Sequence, residues 1–367
     1  MTPPPPTRPA YGGACVDNLI PALVGRTDAA WLPEPARNAR AVVVFVLDGL
    51  GWELLQEHRD ELPELAALTG GPITTVAPST TATALTSITT GLAPSVHGIL
   101  GYRMRVDGRV LNVLRWTVDD GRPPDPTVVQ RHPPFLGRTV PVVTRKEFRT
   151  SGFSAAHLRD VPFAGWSTPM MIVEQCRDLV TTGGHRLVYA YYPGVDTVAH
   201  EYGLTGPYLA AELRFADELV GRLRDALPAD AAVLVTADHG EVQVGDRWHD
   251  LTPLGDLVRS ASGEGRFRWL TAPKGAGPAL AEAATDAFGA LAWVMTREQL
   301  VDEGWLGPRP MPPVNLRRLG DVVLLPHAPV GFIDPATPKE RLLIGAHGSL
   351  TAAEMLVPAV AGAGRRG

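Results

Sequence analysis

Residues 41–51 read AVVVFVLDGLG, a Val-rich apolar run that stops at Asp48-Gly49. A run without polar alternation is the pattern of a strand covered on both faces, and such strands belong to parallel sheets flanked by helices. Leu187–Tyr192 (LVYAYY) and Ala231–Thr236 (AAVLVT) repeat the pattern. Each is again followed by an acid: Asp196 comes after Pro193-Gly194, and Asp238 comes just before His239-Gly240. Val322–Leu325 and Leu342–Ile344 are shorter strand candidates.

Between these runs the apolar period changes. Ala210–Leu227 places Leu213, Leu219, Val220 and Leu223 on one stripe and predicts a helix packed on the sheet. In APSTTATALTSITTG (77–91) small helix-compatible residues follow Pro78, with Gly91 and Pro94 as stop signals, so a helix is expected at about 82–90. Strands alternating with helices imply an α/β fold, a three-layer sandwich with a mainly parallel central sheet and right-handed crossovers. Two stretches rich in Pro, Gly, Arg and Trp, at about 102–185 and 241–320, are expected to be cap insertions over a site. The start, MTPPPPTRPA, is expected to be a frayed tail over 1–10, leaving 11–367 as a single catalytic domain.

Composition narrows the function. The 367 residues carry 34 basic and 39 acidic side chains, a net charge of −5, which gives no electrostatic case for binding a nucleic-acid polymer. Cys15 and Cys176 cannot build a disulfide framework or a Cys-rich zinc site. No apolar run suits a signal or a membrane span, so a cytoplasmic protein is expected. Gly183-Gly184 and Gly275–Gly277 show neither a dinucleotide fingerprint nor a P-loop.

Chemistry concentrates at the strand ends. Ligands of open α/β sheets gather beyond the carboxyl ends of the strands, where Asp48, Asp196 and Asp238 would converge. Three such acids repel one another unless cations neutralise them. His200 follows Asp196 by four residues, His239 adjoins Asp238, and His347 sits in a Gly-flanked turn. Asp and His in these positions suit zinc, which takes N and O ligands and keeps a position open when catalytic. Each residue alone has an ordinary structural reading, such as a helix cap or a buried histidine. Six together at strand ends favour metal ions.

The ordered set VLDGLG, PSTTATALTSITTG, GLAPSVHGI, PGVDTVAHEYG, TADHGEV and GAHGSLTAAEMLVP resembles the alkaline phosphatase superfamily, and within it the type I phosphodiesterase/nucleotide pyrophosphatase family, over about 40–360. The resemblance implies two divalent ions, most plausibly Zn²⁺. One would be held by Asp196, His200 and His347, the other by Asp48, Asp238 and His239. Ser79, Thr80, Thr81 and Thr83 crowd the nucleophile segment, and the family's spacing, ten residues before the Gly of Thr90-Gly91, selects Thr81, whose oxygen would also bind the second metal. Thr81 would then lie at a helix start, where free N–H groups favour phosphoryl oxygens and the backbone N–H of Ala82 is a candidate donor.

The implied reaction is phosphoryl hydrolysis of a small phosphate ester or pyrophosphate through a covalent phosphothreonine. Ala84 stands where eukaryotic relatives carry an Asn that contacts the phosphoryl group. A phosphomonoesterase or mutase of the same superfamily is the alternative, and a catalytically silent binding protein the rival from another class. Arg103, Arg145 and Arg149 are cap cations available to grip phosphate. Trp116, Phe135, Phe163 and Trp166 could line an apolar pocket or form the cap's own core. His97 reads as structural and His249 as a surface-loop residue.

Overall fold

The computed structural model describes residues 4–308 and 310–367. The run Ala41–Leu47 is strand β1, buried throughout. The rest of its sheet, in chain order, is β2 (Thr69–Thr74), β3 (Val142–Arg145), β4 (Phe163–Trp166), β5 (Leu187–Tyr192), β6 (Ala231–Thr236) and β7 (Leu356–Ala363). The spatial order is β2-β7-β6-β1-β5-β3-β4. β1 lies parallel between β5 and β6, with Val44 opposite Tyr189 and Leu234. Only β7 runs against its neighbours, so the sheet is mixed but mainly parallel, as expected.

Two groups of helices complete the three layers. α1 (Thr81–Thr90) packs on the N-terminal helices at 16–23 and the helix Gly152–His157. α4 (Pro207–Ala226) packs on both α2 (Met170–Thr181) and α3 (Gly194–Tyr202), and α2 and α4 also rest on the sheet. The sandwich is the α/β fold read from the sequence.

The insertions differ from their expected limits. β3, β4 and α2 all fall inside 102–185 yet belong to the sandwich; what projects is a small three-stranded sheet at 103–118. β3 and β4 have four residues each at the sheet's edge, too short to register as strands beside β1.

The second insertion extends past 320. Ser260–Glu264, Phe267–Thr271, Val322–Pro326 and Ala292–Thr296 form their own four-stranded antiparallel sheet. Val323 and Leu325 join Phe267 and Trp269 in one apolar cluster, while Val322 and Leu324 join Leu270, Leu280 and Phe332 in another. Burial on both faces explains why VVLLP lacks alternation and reads like a strand of the main sheet.

The expected frayed tail is also corrected. Residues 1–3 lie outside the described residues. Over the remainder, the Thr7 N–H donates to the Leu350 carbonyl (2.8 Å), and the Arg8 guanidinium sits 4.2 Å above the Trp305 ring. Polar and cation–π contacts tie this segment down where composition offered little to bury.

One buried ion pair joins the second sheet to the segment following His347. Arg266 and Glu354 have fully buried side chains and meet through two bonds of 2.7 and 2.8 Å. Glu354 also accepts from the Ser349 N–H and the Thr351 hydroxyl. Removing one member strands a buried charge. Glu354→Ala should cost about 3 kcal/mol in urea unfolding.

Candidate metal centre

The three strands β1, β5 and β6 deliver Asp48, Asp196 and Asp238 to one end of the sheet. Their turns touch backbone to backbone. A Cβ on Gly240 would lie 2.0 Å from the Ala353 carbonyl oxygen, and one on Gly51 would lie 2.7 Å from the Gly240 Cα. Glycine after the acid is therefore a packing requirement here.

The six residues expected as ligands form two groups with mutually close donor atoms: Asp196, His200 and His347, and Asp48, Asp238 and His239. In the first, Asp196 Oδ1 lies 3.2 Å from His200 Nε2 and 3.7 Å from His347 Nε2. In the second, His239 Nε2 lies 3.3 Å from Asp48 Oδ1 and 3.6 Å from Asp238 Oδ2. The groups adjoin: His239 Nε2 is 4.0 Å from Asp196 Oδ1, and the His239 and His347 rings stack at 3.5 Å.

Each imidazole has its Nδ1 against a backbone carbonyl: Gly345 for His200 (2.7 Å), Gly240 for His239 (3.1 Å) and Ser79 for His347 (2.9 Å). An Nδ1–H donated to such a carbonyl leaves Nε2 with its lone pair for a cation. The atoms facing those nitrogens, Asp48 Oδ1, Asp196 Oδ1 and Asp238 Oδ2, are buried and have no hydrogen-bond partner among the described residues. Buried polar atoms are almost always satisfied, so three orphaned carboxylate oxygens beside three imidazole Nε2 atoms fit divalent cations.

Electrostatics agrees. Burial, then the Asp238 and Asp196 charges, holds Asp48 well above the usual carboxylate range, and burial raises Asp238 as well. Burial, helped by His239 and His200, keeps His347 well below its ordinary value and so neutral.

The nucleophile segment sorts itself by geometry. The Ser79 hydroxyl donates to the Ser349 carbonyl (2.8 Å), and the Thr80 hydroxyl donates to that of Thr83 (3.3 Å). The Thr81 hydroxyl lies against the candidate ligands, with Oγ1 3.1 Å from His239 Nε2. It is the first residue of α1, one position earlier than expected, and the N-cap Thr80 makes no side-chain cap. The first-turn N–H groups remain available to an anion. Ala82 lines the cleft beside Thr81.

Two cavities meet at this point, and Thr81 and Asp196 line both. The smaller, about 180 Å³, is walled by Leu114, Phe148, Phe153 and Tyr191. The larger, about 620 Å³, is bordered by Tyr102, Asn112, Trp248, Glu264 and Glu340.

Other sequence candidates lie elsewhere. Arg103 is buried in a bond to Asp334, Arg145 pairs with Glu147 at 3.8 Å, and Arg149 sits over the Phe163 ring. Trp116, Phe135 and Trp166 are buried in the main core, with Phe163 packed against it. His97 is buried and bonded to the Ser87 hydroxyl (2.8 Å), as its structural reading expects. His249 pairs in register with Phe332 in a short bridge away from the ligands.

Sequence reasoning missed several residues at the site. Tyr191, whose hydroxyl donates to Asp48 Oδ2, could have been found from the period of β5, which points Tyr189 and Tyr191 to one face. Glu241 is buried, with both carboxyl oxygens unpartnered among the described residues, and burial and Asp196 raise it well above its usual value. Phe148, Trp248, Glu264 and Glu340 come from the insertions, where no local pattern marks a cavity wall.

Among the described residues no helix is long and apolar enough to cross a membrane. No curated protein matches the sequence. Among solved structures, the mouse ectonucleotide pyrophosphatase/phosphodiesterase 5, an inactive variant in complex with AMP, is 15% identical, with 88% of this chain and 87% of that chain covered and a TM-score of 0.67. The human counterpart is also 15% identical, over the same shares of both chains, with a TM-score of 0.65. These likenesses show the fold. The type I phosphodiesterase/nucleotide pyrophosphatase family matches residues 42–350. With the family match covering most of its length, the chain belongs to the type I phosphodiesterase/nucleotide pyrophosphatase family and is a hydrolase of phosphoric ester bonds.

Proposed function

We propose that the chain is a phosphodiesterase with two metal ions, in which Thr81 forms a covalent phosphothreonine. The observation that carries the diester reading is the pair of cavities sharing Thr81 and Asp196. A phosphodiester has two organic arms and a monoester only one. The AMP held by the mouse relative is in keeping with a substrate arm beside such a centre.

Zinc, the ion that three carboxylates and three imidazoles suit best, would acidify the nucleophilic hydroxyl and neutralise charge on the phosphoryl oxygens. Thr81 Oγ1 attacks phosphorus, and its proton passes through solvent to the leaving oxygen as that oxygen's bond to phosphorus breaks. The Ala82 N–H donates to a nonbridging oxygen. Water then cleaves the Thr81–phosphorus bond, restoring the hydroxyl and releasing a phosphate monoester. The leaving alcohol departs through the larger cleft, which His200 and His347 line. The apolar cavity beside Asp48 keeps the retained arm.

The test compares kcat/KM for bis(p-nitrophenyl) phosphate and p-nitrophenyl phosphate with zinc-loaded protein. An apolar pocket that gains an aryl group should favour the diester by about 100-fold. Equal or reversed preference would support the monoesterase alternative.

A further inference from the structure

The larger cleft contains two acids that the proposed chemistry does not use. Glu264 Oε2 accepts from the Tyr102 N–H (2.8 Å), and one carboxylate oxygen of Glu340, Oε2, is bonded to the fully buried Arg268. The other oxygen of each, Oε1, is buried without a hydrogen-bond partner among the described residues. Glu264 is only 9% exposed and lines the cleft with Glu340.

The surrounding groups form one charged network. Arg268 also approaches Asp334 at 4.0 Å, and Asp334 is bonded to Arg103. Arg103 and Arg268 thus pair with Asp334 and Glu340, and Glu264 is the acid left over. Burial pushes the Glu264 carboxyl up to about 8, with Arg268 lowering it and Glu340 adding to the rise, so at neutral pH it holds its proton and the network is balanced. A cation in the cleft would favour release of that proton and take up the unpartnered oxygens.

We propose that the floor of the larger cleft is an ammonium site, in which Glu264 and Glu340 take a protonated amine carried by the leaving alcohol of the substrate. An ammonium supplies up to three N–H donors, which suits two orphaned carboxylate oxygens, and its charge would favour the ionised form of Glu264. Trp248 adds an aromatic wall. Its ring is held against the backbone of Gly265 and Gly331, where a Cβ would lie 2.3–2.4 Å from it. Arg115 and Lys339, which also line the cleft, are exposed to solvent, and the phosphodiester anion itself sits at Thr81.

The assignment of the amine to the leaving arm rests on the diesterase reading; the binding site itself does not. Calorimetric titration of zinc-loaded Thr81→Ala protein with ω-aminoalkyl phosphates of two to five carbons, against alkyl phosphates of matching length, isolates the amine from the phosphate. At the best chain length the amine should tighten binding about tenfold, and adding Glu264→Gln should reduce the difference to within about twofold. Gln keeps the acceptor for the Tyr102 N–H. Equal affinity of amine and alkyl ligands at every length, or no binding of either, overturns the inference without any variant at Glu264. If the wild-type protein fails to hydrolyse bis(p-nitrophenyl) phosphate while the amine preference is present, the diesterase reading fails and the ammonium site stands.

Discussion

Thr81→Ala should lower kcat/KM for bis(p-nitrophenyl) phosphate by about 10⁴-fold or more, with zinc content unchanged. The other hydroxyls of the segment cannot substitute, because Ser79 and Thr80 donate to fixed partners and Thr83 is fully buried. Removal of a covalent nucleophile typically leaves only what binding and electrostatic stabilisation supply. Metal content should survive because all six ligand side chains come from other residues. Steady-state kinetics paired with metal analysis checks both halves, and near wild-type turnover would remove Thr81 from its role.

Asp48→Asn should bring the metal count from about two per chain to about one and lower turnover by about 10³-fold or more. The substitution keeps the shape of the side chain and an acceptor for the Tyr191 hydroxyl, but it removes one charge from the buried Asp48, Asp238 and His239 group. The group of Asp196, His200 and His347 is intact and should hold its ion. Mass-spectrometric metal analysis after dialysis reads the stoichiometry. Retention of two ions would show that Asp48 is not a ligand.

What could be read in the sequence follows from where side chains are buried. β1, β5 and β6 occupy the middle of the sheet and are covered on both faces, so their apolar runs are unbroken and the acids that close them stand out. β7 also lies inside the sheet, yet LVPAVAGA consists largely of small residues and carries Pro358, so it gives little strand signal. β2, TGGPIT, is an edge strand with two glycines and a proline. β3 and β4 are hidden inside a segment whose composition suggests loops.

The site divides in the same way. The six candidate ligands follow strand ends, and the sequence groups them because the backbone path brings them together. The cleft walls could not. Glu264 lies at the end of a hairpin strand paired with Phe267, and Glu340 lies far along the chain in the short helical turn Pro338–Leu342. Their shared cleft and their unpaired oxygens exist only after two sheets have docked.

The stereochemical course at phosphorus separates a two-step displacement through Thr81 from direct attack by water. A chiral phosphorothioate diester hydrolysed in ¹⁸O-labelled water undergoes one inversion at each in-line displacement. The phosphothreonine route predicts net retention, and net inversion would show that water attacks the substrate directly, contradicting the account.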